Sequence, residues 1–315
     1  MLNLNFSVEK KAGESMQPKK VLISGSSGLI GSALTRSFQS DGVDVSRLVR
    51  RQPQSESEVN WDPDRKPLDP QVLEGVDVVI NLNGASIGHL PWTSKYRALL
   101  RSSRINPTRT LATALREKVG SVPKFVSASA VGFYGARPGE QLDETSAPGT
   151  TFLAQLCVAW EKEALSAGER AKVAVFRTAP LLHPQATLKP LIPLTRLGVS
   201  GPLGGGRQLW SWISLDDEVR AIRYIINHDI EGPVNLSGPA PASANQIGQE
   251  LARQLRRPYF LPVPAWALRL VIGRDAADSL LAEVVALPTV LRETGFGYSH
   301  PTVEDAIHDA LATKD

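Results

Sequence analysis

The sequence predicts an α/β protein: a doubly wound parallel sheet with a smaller, mostly helical C-terminal domain. Three observations carry this. Short apolar, β-branched runs alternate with helix-period segments from Val21 to about Ala179. One of these runs ends in a glycine-rich turn that opens a helix. After Pro180 the alternation breaks down, and from Ser243 onward the chain reads as largely helical.

The elements follow in order. KKVLISG is a short apolar run closed by glycine, the signature of a buried strand. Ile30, Ala33, Leu34 and Phe38 recur at helical spacing, and Asp41-Gly42 ends that helix. VDVSRLVRR and VDVVINLNG are two further strands. The stretch from Ser94 to Val119 predicts a kinked helix, with Asn106 as N-cap and Pro107 in the first turn of its second half. KFVSASAVG is a strand, and Leu153, Leu156, Cys157, Trp160 and Ala164 mark the apolar face of the next helix. AKVAVFRTA, part of WSWISLDDEVRAIRYII, and GPVNLSG supply the remaining strands, and PVPAWALRLVIG is one amphipathic helical stretch. Buried strands joined by helices imply a sheet covered on both faces and wound by right-handed crossovers.

With 315 residues the chain can bury a large core. Hydrophobic residues make up 42% and charged residues 21%, ordinary for a globular protein. The net charge is +3, and the first 20 residues supply +2 of it through four lysines and two glutamates. The remainder is nearly neutral, which argues against a nucleic-acid binder. The single cysteine, Cys157, excludes an intrachain disulfide, and no Cys/His cluster has zinc-ligand spacing. No apolar run approaches the roughly 20 residues of a membrane helix, and no secretory signal precedes the first strand. A cytoplasmic protein is expected, with no membrane contact and the option of a homodimer. Residues 1–20 read as a polar disordered tail, and Met16 is an alternative start.

The sharpest motif is Gly25-Ser26-Ser27-Gly28-Leu29-Ile30-Gly31, between a strand and a helix. Gly25 permits the tight turn, Gly28 lets backbone approach a pyrophosphate, and Gly31 packs the helix against the strand. The helix start offers free N–H groups and a positive dipole end. This predicts a Rossmann domain binding a nicotinamide dinucleotide. About 20 residues on, where an acid would meet an unmodified ribose, the second strand ends in Val49-Arg50-Arg51. A missing acid and a present base favour NADP(H) over NAD(H), with Arg50 and Arg51 on the 2′-phosphate. The domain boundaries expected are 21–180 with 213–237 for the Rossmann domain, and 181–212 with 238–315 for the substrate domain.

The chain resembles the extended short-chain dehydrogenase/reductases. More narrowly it resembles the atypical NAD-dependent epimerase/dehydratase-like subgroup, often labelled cell-division-inhibitor-like. The resemblance is carried by GSSGLIGSAL (25–34), INLNGASI (80–87), Ser103-Arg104, SASAVGFYG (127–135), LGVSGPLGGGRQLWSWISLDD (197–217) and LPVPAWALRLVIG (261–273). It implies that Leu29 and Ile30 lie near the pyrophosphate and that Leu82, Asn83 and Gly84 lie beside the adenosine and ribose. It also implies that Ala128, Ser129, Pro180 and Leu181 line the nicotinamide end.

Enzymes of this kind use Ser, Tyr and Lys, the lysine lowering the tyrosine pKa. Ser129 fits the serine. Aligned on Glu161, the tyrosine and lysine positions hold Leu153 and Cys157, which cannot do that chemistry. Cys157 falls on an apolar face and reads as core. Tyr134 is the candidate acid; the alternative is that it walls the cofactor pocket. Two functions stand open: an oxidoreductase or epimerase of unknown substrate with a non-standard active site, or an NADP(H)-binding sensor with little chemistry. Trp210 and Trp212 either stack on a ligand near Arg207 or pack between domains. Arg104 either reaches the cleft or forms a surface salt bridge. Asp216 and Asp217 read as helix-capping acids, and Arg177 as a strand-end anchor.

Overall fold

The computed structural model describes residues 17–312, so the Met16 start and most of the expected tail lie outside the described residues. In chain order the strands are β1 (Lys20–Ser24), β2 (Asp44–Val49), β3 (Glu58–Asn60), β4 (Val78–Asn81), β5 (Lys124–Ala130) and β6 (Gln141–Leu142). They continue with β7 (Val173–Thr178), β8 (Leu209–Trp210), β9 (Gly232–Leu236), β10 (Ala242–Ser243) and β11 (Val285–Ala286). The helices are α1 (Leu29–Ser40), α2 (Ser94–Glu117), α3 (Phe152–Leu165), α4 (Leu191–Arg196) and α5 (Leu215–Asn227). They continue with α6 (Ala244–Gln254), α7 (Ala265–Ile272), α8 (Arg274–Leu281), α9 (Thr289–Thr294) and α10 (Val303–Ala312).

Seven strands form one sheet in the order β3-β2-β1-β4-β5-β7-β9, every neighbour parallel. The chain runs outward from β1 to β3, then crosses back to β4 and proceeds the other way. The direction therefore reverses between β1 and β4, where such sheets leave a crevice at their C-terminal edge. Both faces are covered, and the strands show it residue by residue. Val21, Ile23, Val78, Ile80 and Val126 join a core with Leu34 and Phe38 of α1 and Ile222 of α5. Their alternates Leu22, Val79 and Phe125 join the opposite core with Leu111 and Leu115 of α2. The two-residue period of a strand thus sends neighbouring side chains to different layers.

A third cluster lies outside the sheet. Leu182, Leu188, Trp210, Trp212, Ile247, Leu251 and Ile307 build it, drawn from both segments assigned above to a second domain. The tryptophans are core residues, and the Trp210 indole N–H donates to the Ala282 carbonyl at 3.1 Å. One stretch departs from that division. Ala286, Leu291 and Phe296 belong to the sheet's own core, α9 packs on β9, and β11 pairs with β6.

Local expectations changed in three places. α2 runs unbroken through Pro107, capped by Thr93, and Asn106 donates to Asp64 at 2.7 Å instead of capping. The N-cap of α5 is Ser214; Asp216 and Asp217 sit in the first turn, where they still oppose the helix dipole. α7 has no buried residue and leaves Trp266, Leu270 and Val271 exposed, because its main packing partner is the neighbouring α8.

Candidate functional site

The predicted residues converge on the C-terminal edge of the sheet. Gly25 to Gly28 follow β1, Arg50 and Arg51 follow β2, Leu82 to Gly84 follow β4, Ala128 and Ser129 close β5, and Pro180 and Leu181 follow β7. The glycine turn shows a division of labour. Gly25 has φ +77, and a Cβ there would stand 2.6 Å from the Leu82 carbonyl oxygen. A Cβ on Gly31 would stand 2.3 Å from the Gly25 carbonyl oxygen, so α1 meets β1 only through a glycine. Gly28 is different. It is exposed, has φ −76, and its Cβ would meet the nearest protein atom at 3.4 Å. The fold itself leaves room for a side chain at Gly28, so the packing that dictates Gly25 and Gly31 does not dictate this glycine.

α1 has no side-chain cap, a feature it shares with α4, α7, α8 and α9. Thr93, Thr151, Ser214 and Ser243 each place a side-chain oxygen on the first turn of α2, α3, α5 and α6. Gly28 offers none. The first N–H groups of a helix need an acceptor, and a phosphate is one that a helix start following a glycine turn can hold. These residues fit a dinucleotide pyrophosphate.

Under the loop a buried polar network ties the strand ends together. The Ser24 hydroxyl donates to Asn81 Oδ1 (3.1 Å), and the Asn81 amide donates to Thr108 (2.7 Å) and Ser127 (3.0 Å). Asn83 donates to Ser24 at 2.6 Å, and the Trp160 indole N–H to Thr108 at 2.8 Å. Fully satisfied networks of this kind hold a site rigid. The sequence reading missed them, although serine and asparagine inside apolar strands were a visible signal.

The two arginines after β2 part company. Arg51 is spent on Glu58, donating to both carboxylate oxygens at 2.8 and 2.7 Å, and that contact holds the Glu58 carboxyl down at about 2. Arg50 is exposed and makes no hydrogen bond or ion pair among the described residues. Of the pair, Arg50 is the one with no protein partner among the described residues, which leaves all of its donors open to a 2′-phosphate.

Ser129 and Tyr134 lie in a second buried assembly. The Ser129 hydroxyl donates to Glu161 Oε1 at 2.6 Å. Arg177 grips both Glu161 oxygens at 2.9 Å, donates to the Tyr134 hydroxyl at 2.9 Å, and lies 3.5 Å from the Phe133 ring centre. Tyr134 lies 2.7 Å from its Asn235 Oδ1 acceptor, is wholly buried, and has its pKa pushed up to about 12 by burial. A short helical turn over Val131–Tyr134 rolls the ring under the strand end. That geometry takes Tyr134 off the cleft surface and speaks against the acid role; it is a structural post. Arg177 is the anchor expected, and the charge it buries is paired. Leu153 faces Gly132, whose Cβ would be 3.5 Å from its own. Cys157 is buried and its thiol is pushed up to about 12, chiefly by burial, so it stays protonated. Leu153 has no ionisable group and the Cys157 thiol is sealed in the core, so neither position can stand in for the tyrosine and lysine.

Asp216, Asp217 and His300 come within 4.8 Å of one another. Asp217, however, already accepts from the backbone N–H of Ser299 and His300 and from Arg220. Among the described residues no helix is long and apolar enough to cross a membrane.

A parallel sheet with a reversal between β1 and β4, a bare glycine turn at that point and a separate helical core define a dinucleotide-type α/β protein with a C-terminal cap. Comparison with known proteins makes this specific. The chain belongs to the NAD dependent epimerase/dehydratase family, whose model matches residues 21–237. A domain of unknown function, DUF1731, matches residues 263–310. An epimerase family protein of Mycobacterium bovis is 41% identical over 290 residues, covering 91% of this chain and 96% of the relative. The epimerase family protein SDR39U1 of Mus musculus is 32% identical, covering 93% of this chain and all of the relative (100%). Among solved structures, human SDR39U1 (isoform 2) with NADPH aligns with a TM-score of 0.84 at 27% identity, covering 93% of this chain and 100% of that one. A nucleoside-diphosphate sugar epimerase of Corynebacterium glutamicum gives 0.77 at 32% identity, covering 94% of this chain and 58% of that one.

Proposed function

We propose that this chain binds NADP(H) and acts as an oxidoreductase of the epimerase type on a carbonyl or hydroxyl compound. The observation that carries the reading is the bare first turn of α1, with Gly28 open to a ligand while Gly25 and Gly31 are dictated by packing. Arg50, unpaired at the end of β2, supports the phosphorylated nucleotide, as does the NADPH in the human neighbour. When bound, the nicotinamide would supply or accept hydride. The chain's own part is to hold the two phosphates on α1, to fix the strand ends through the Asn81 network, and to bring Ala128, Pro180 and Leu181 against the ring. Ser129 is the side chain at that end able to orient a substrate oxygen, if Glu161 releases its hydroxyl.

A second reading has its own support. The hydroxyl of Tyr134 is spent in the core, Leu153 has no ionisable group, and the Cys157 thiol is buried. A protein built this way can hold the nucleotide as a redox-linked binder with little turnover. Calorimetric titration with NADPH and NADH tests the first claim, with NADPH expected to bind more tightly. NADPH oxidation measured against a panel of carbonyl compounds and nucleotide sugars then separates the two readings. Turnover that survives Tyr134→Phe supports an enzyme with another acid; tight binding without turnover supports the binder. Absence of binding by either nucleotide ends both.

A further inference from the structure

One helix of the C-terminal cap turns its apolar side outward. Trp266 and Leu270 of α7 stand one turn apart, 68% and 79% exposed, with Val271 beside them at 74%. The segment leading into α7 adds Phe260, 65% exposed, and Leu261. That segment is bonded to the stretch after α4. The backbone N–H groups of Phe260 and Leu261 both donate to the Ser200 carbonyl, and that of Val263 donates to the Pro202 carbonyl at 2.8 Å. Leu197 and Val199, just before Ser200, are exposed as well. Single exposed apolar side chains are ordinary on a protein surface. Several on bonded, neighbouring segments make a patch, and patches mark interaction sites.

The charge around this patch has one sign. From Leu251 to Arg274 the chain holds five arginines and no acid. Arg253 is paired with Glu250, and Arg269 with Asp278. Arg256, Arg257 and Arg274 are exposed and have no ion pair or side-chain hydrogen bond among the described residues. Two of these precede the apolar run and one closes it, so free basic groups flank the patch at both ends. The whole chain has 35 basic residues against 32 acidic ones, so this concentration is local rather than general.

Charge complementarity selects the occupant. A second copy docking through a two-fold interface sets the same patch against itself, arginine facing arginine with no acid in the segment to answer it. Nucleic acid would satisfy the arginines but gain nothing from exposed tryptophan, leucine, valine and phenylalanine. An anionic bilayer surface answers both. Its headgroup phosphates meet the arginines, and its headgroup–acyl boundary takes an apolar helix face to a depth of about 5–10 Å. Tryptophan favours that boundary, because its ring is apolar while its N–H is not. Such a contact needs no spanning helix, and it departs from the expectation of no membrane contact.

We propose that α7 and the segment before it dock this protein on an anionic lipid surface. Trp266, Leu270, Val271 and Phe260 enter the headgroup–acyl boundary, and Arg256, Arg257 and Arg274 meet the headgroups. The attachment is reversible, since only a few side chains are buried and no helix is threaded through the bilayer. The inference does not depend on which nucleotide the sheet binds.

Flotation of the full chain with vesicles tests it. Vesicles of phosphatidylcholine alone are compared with vesicles in which about one-third is phosphatidylglycerol, at low and high salt. Wild type is expected to float with the anionic vesicles and to be released as salt rises. Trp266→Ser combined with Leu270→Ser should weaken binding by at least about tenfold. Arg256→Gln, Arg257→Gln and Arg274→Gln should each cost about fivefold at low salt, about a hundredfold together. All five side chains are exposed, so the variants should melt like wild type, and the apolar pair and the arginine triple each keep the test alive if the other fails to fold. Wild type that floats with neither vesicle overturns the proposal, as does equal, salt-insensitive flotation with both. Variants that float like wild type overturn it too. A wild-type dimer that the apolar double substitution splits would assign the face to a second copy and overturn the lipid assignment as well.

Discussion

Glu218 should make this protein lose stability as pH rises through neutrality. Its side chain, in the first turn of α5, is wholly buried. The Thr178 hydroxyl donates to Oε1 at 2.7 Å, and Oε2 has no partner. Burial pushes the carboxyl up to about 8, against an ordinary value of 4.5. Above the ordinary value the unfolded chain releases its proton while the folded chain keeps it, so stability falls with rising pH until the folded group also ionises. At about 1.4 kcal/mol per pH unit the ceiling is roughly 4–5 kcal/mol, and local relaxation should leave about 2–4 kcal/mol. In a chain of this size that corresponds to a drop of about 5 °C or more in Tm between pH ~5 and ~9. Glu218→Gln keeps the shape and the acceptor for Thr178 but cannot ionise. Melts of the two proteins across that range should diverge, with the variant's advantage growing as pH rises; subtracting one curve from the other removes every other titrating group. Parallel curves would refute the reasoning.

Other expectations are equally direct. Tyr134→Phe leaves Asn235 Oδ1 without its donor and removes one acceptor of Arg177, so it should cost about 1–3 kcal/mol in denaturant unfolding and leave NADPH affinity unchanged. Gly28→Ala should melt like wild type yet bind NADPH far more weakly. Gly31→Ala should lower the melting point as well, because its Cβ collides with the Gly25 carbonyl. Arg50→Ala should weaken NADPH by about tenfold or more and leave NADH nearly untouched; equal losses for both nucleotides would place the 2′-phosphate elsewhere.

The sheet and its phosphate turn were legible because their determinants are local. Apolar runs, a glycine spacing and the missing acid near Arg50 lie within about 30 residues, the span of one βαβ unit. What escaped the sequence depends on distant partners. Tyr134 looks like a cleft residue until Arg177, 43 positions on, claims its hydroxyl. Arg51 looks as free as Arg50 until β3 delivers Glu58 beside it. Glu218 reads as one more acid at a helix start, since nothing nearby reveals that α5 turns it toward Thr178, 40 positions back. Arg104 was noticed, but only packing shows that its donors meet the Leu100 and Ala85 carbonyls and no acid among the described residues.

The return of residues 285–296 to the sheet bears on how the molecule can be dissected. β11 lies along β6, α9 covers β9, and the Glu144 carboxylate accepts from the backbone N–H groups of both Asn235 and Val290. The C-terminal third is therefore stitched through the nucleotide half rather than hung beside it. Cutting the gene before position 263 would strip Leu291 and Phe296 off a finished hydrophobic layer, so an isolated N-terminal fragment should aggregate instead of yielding a free-standing nucleotide binder.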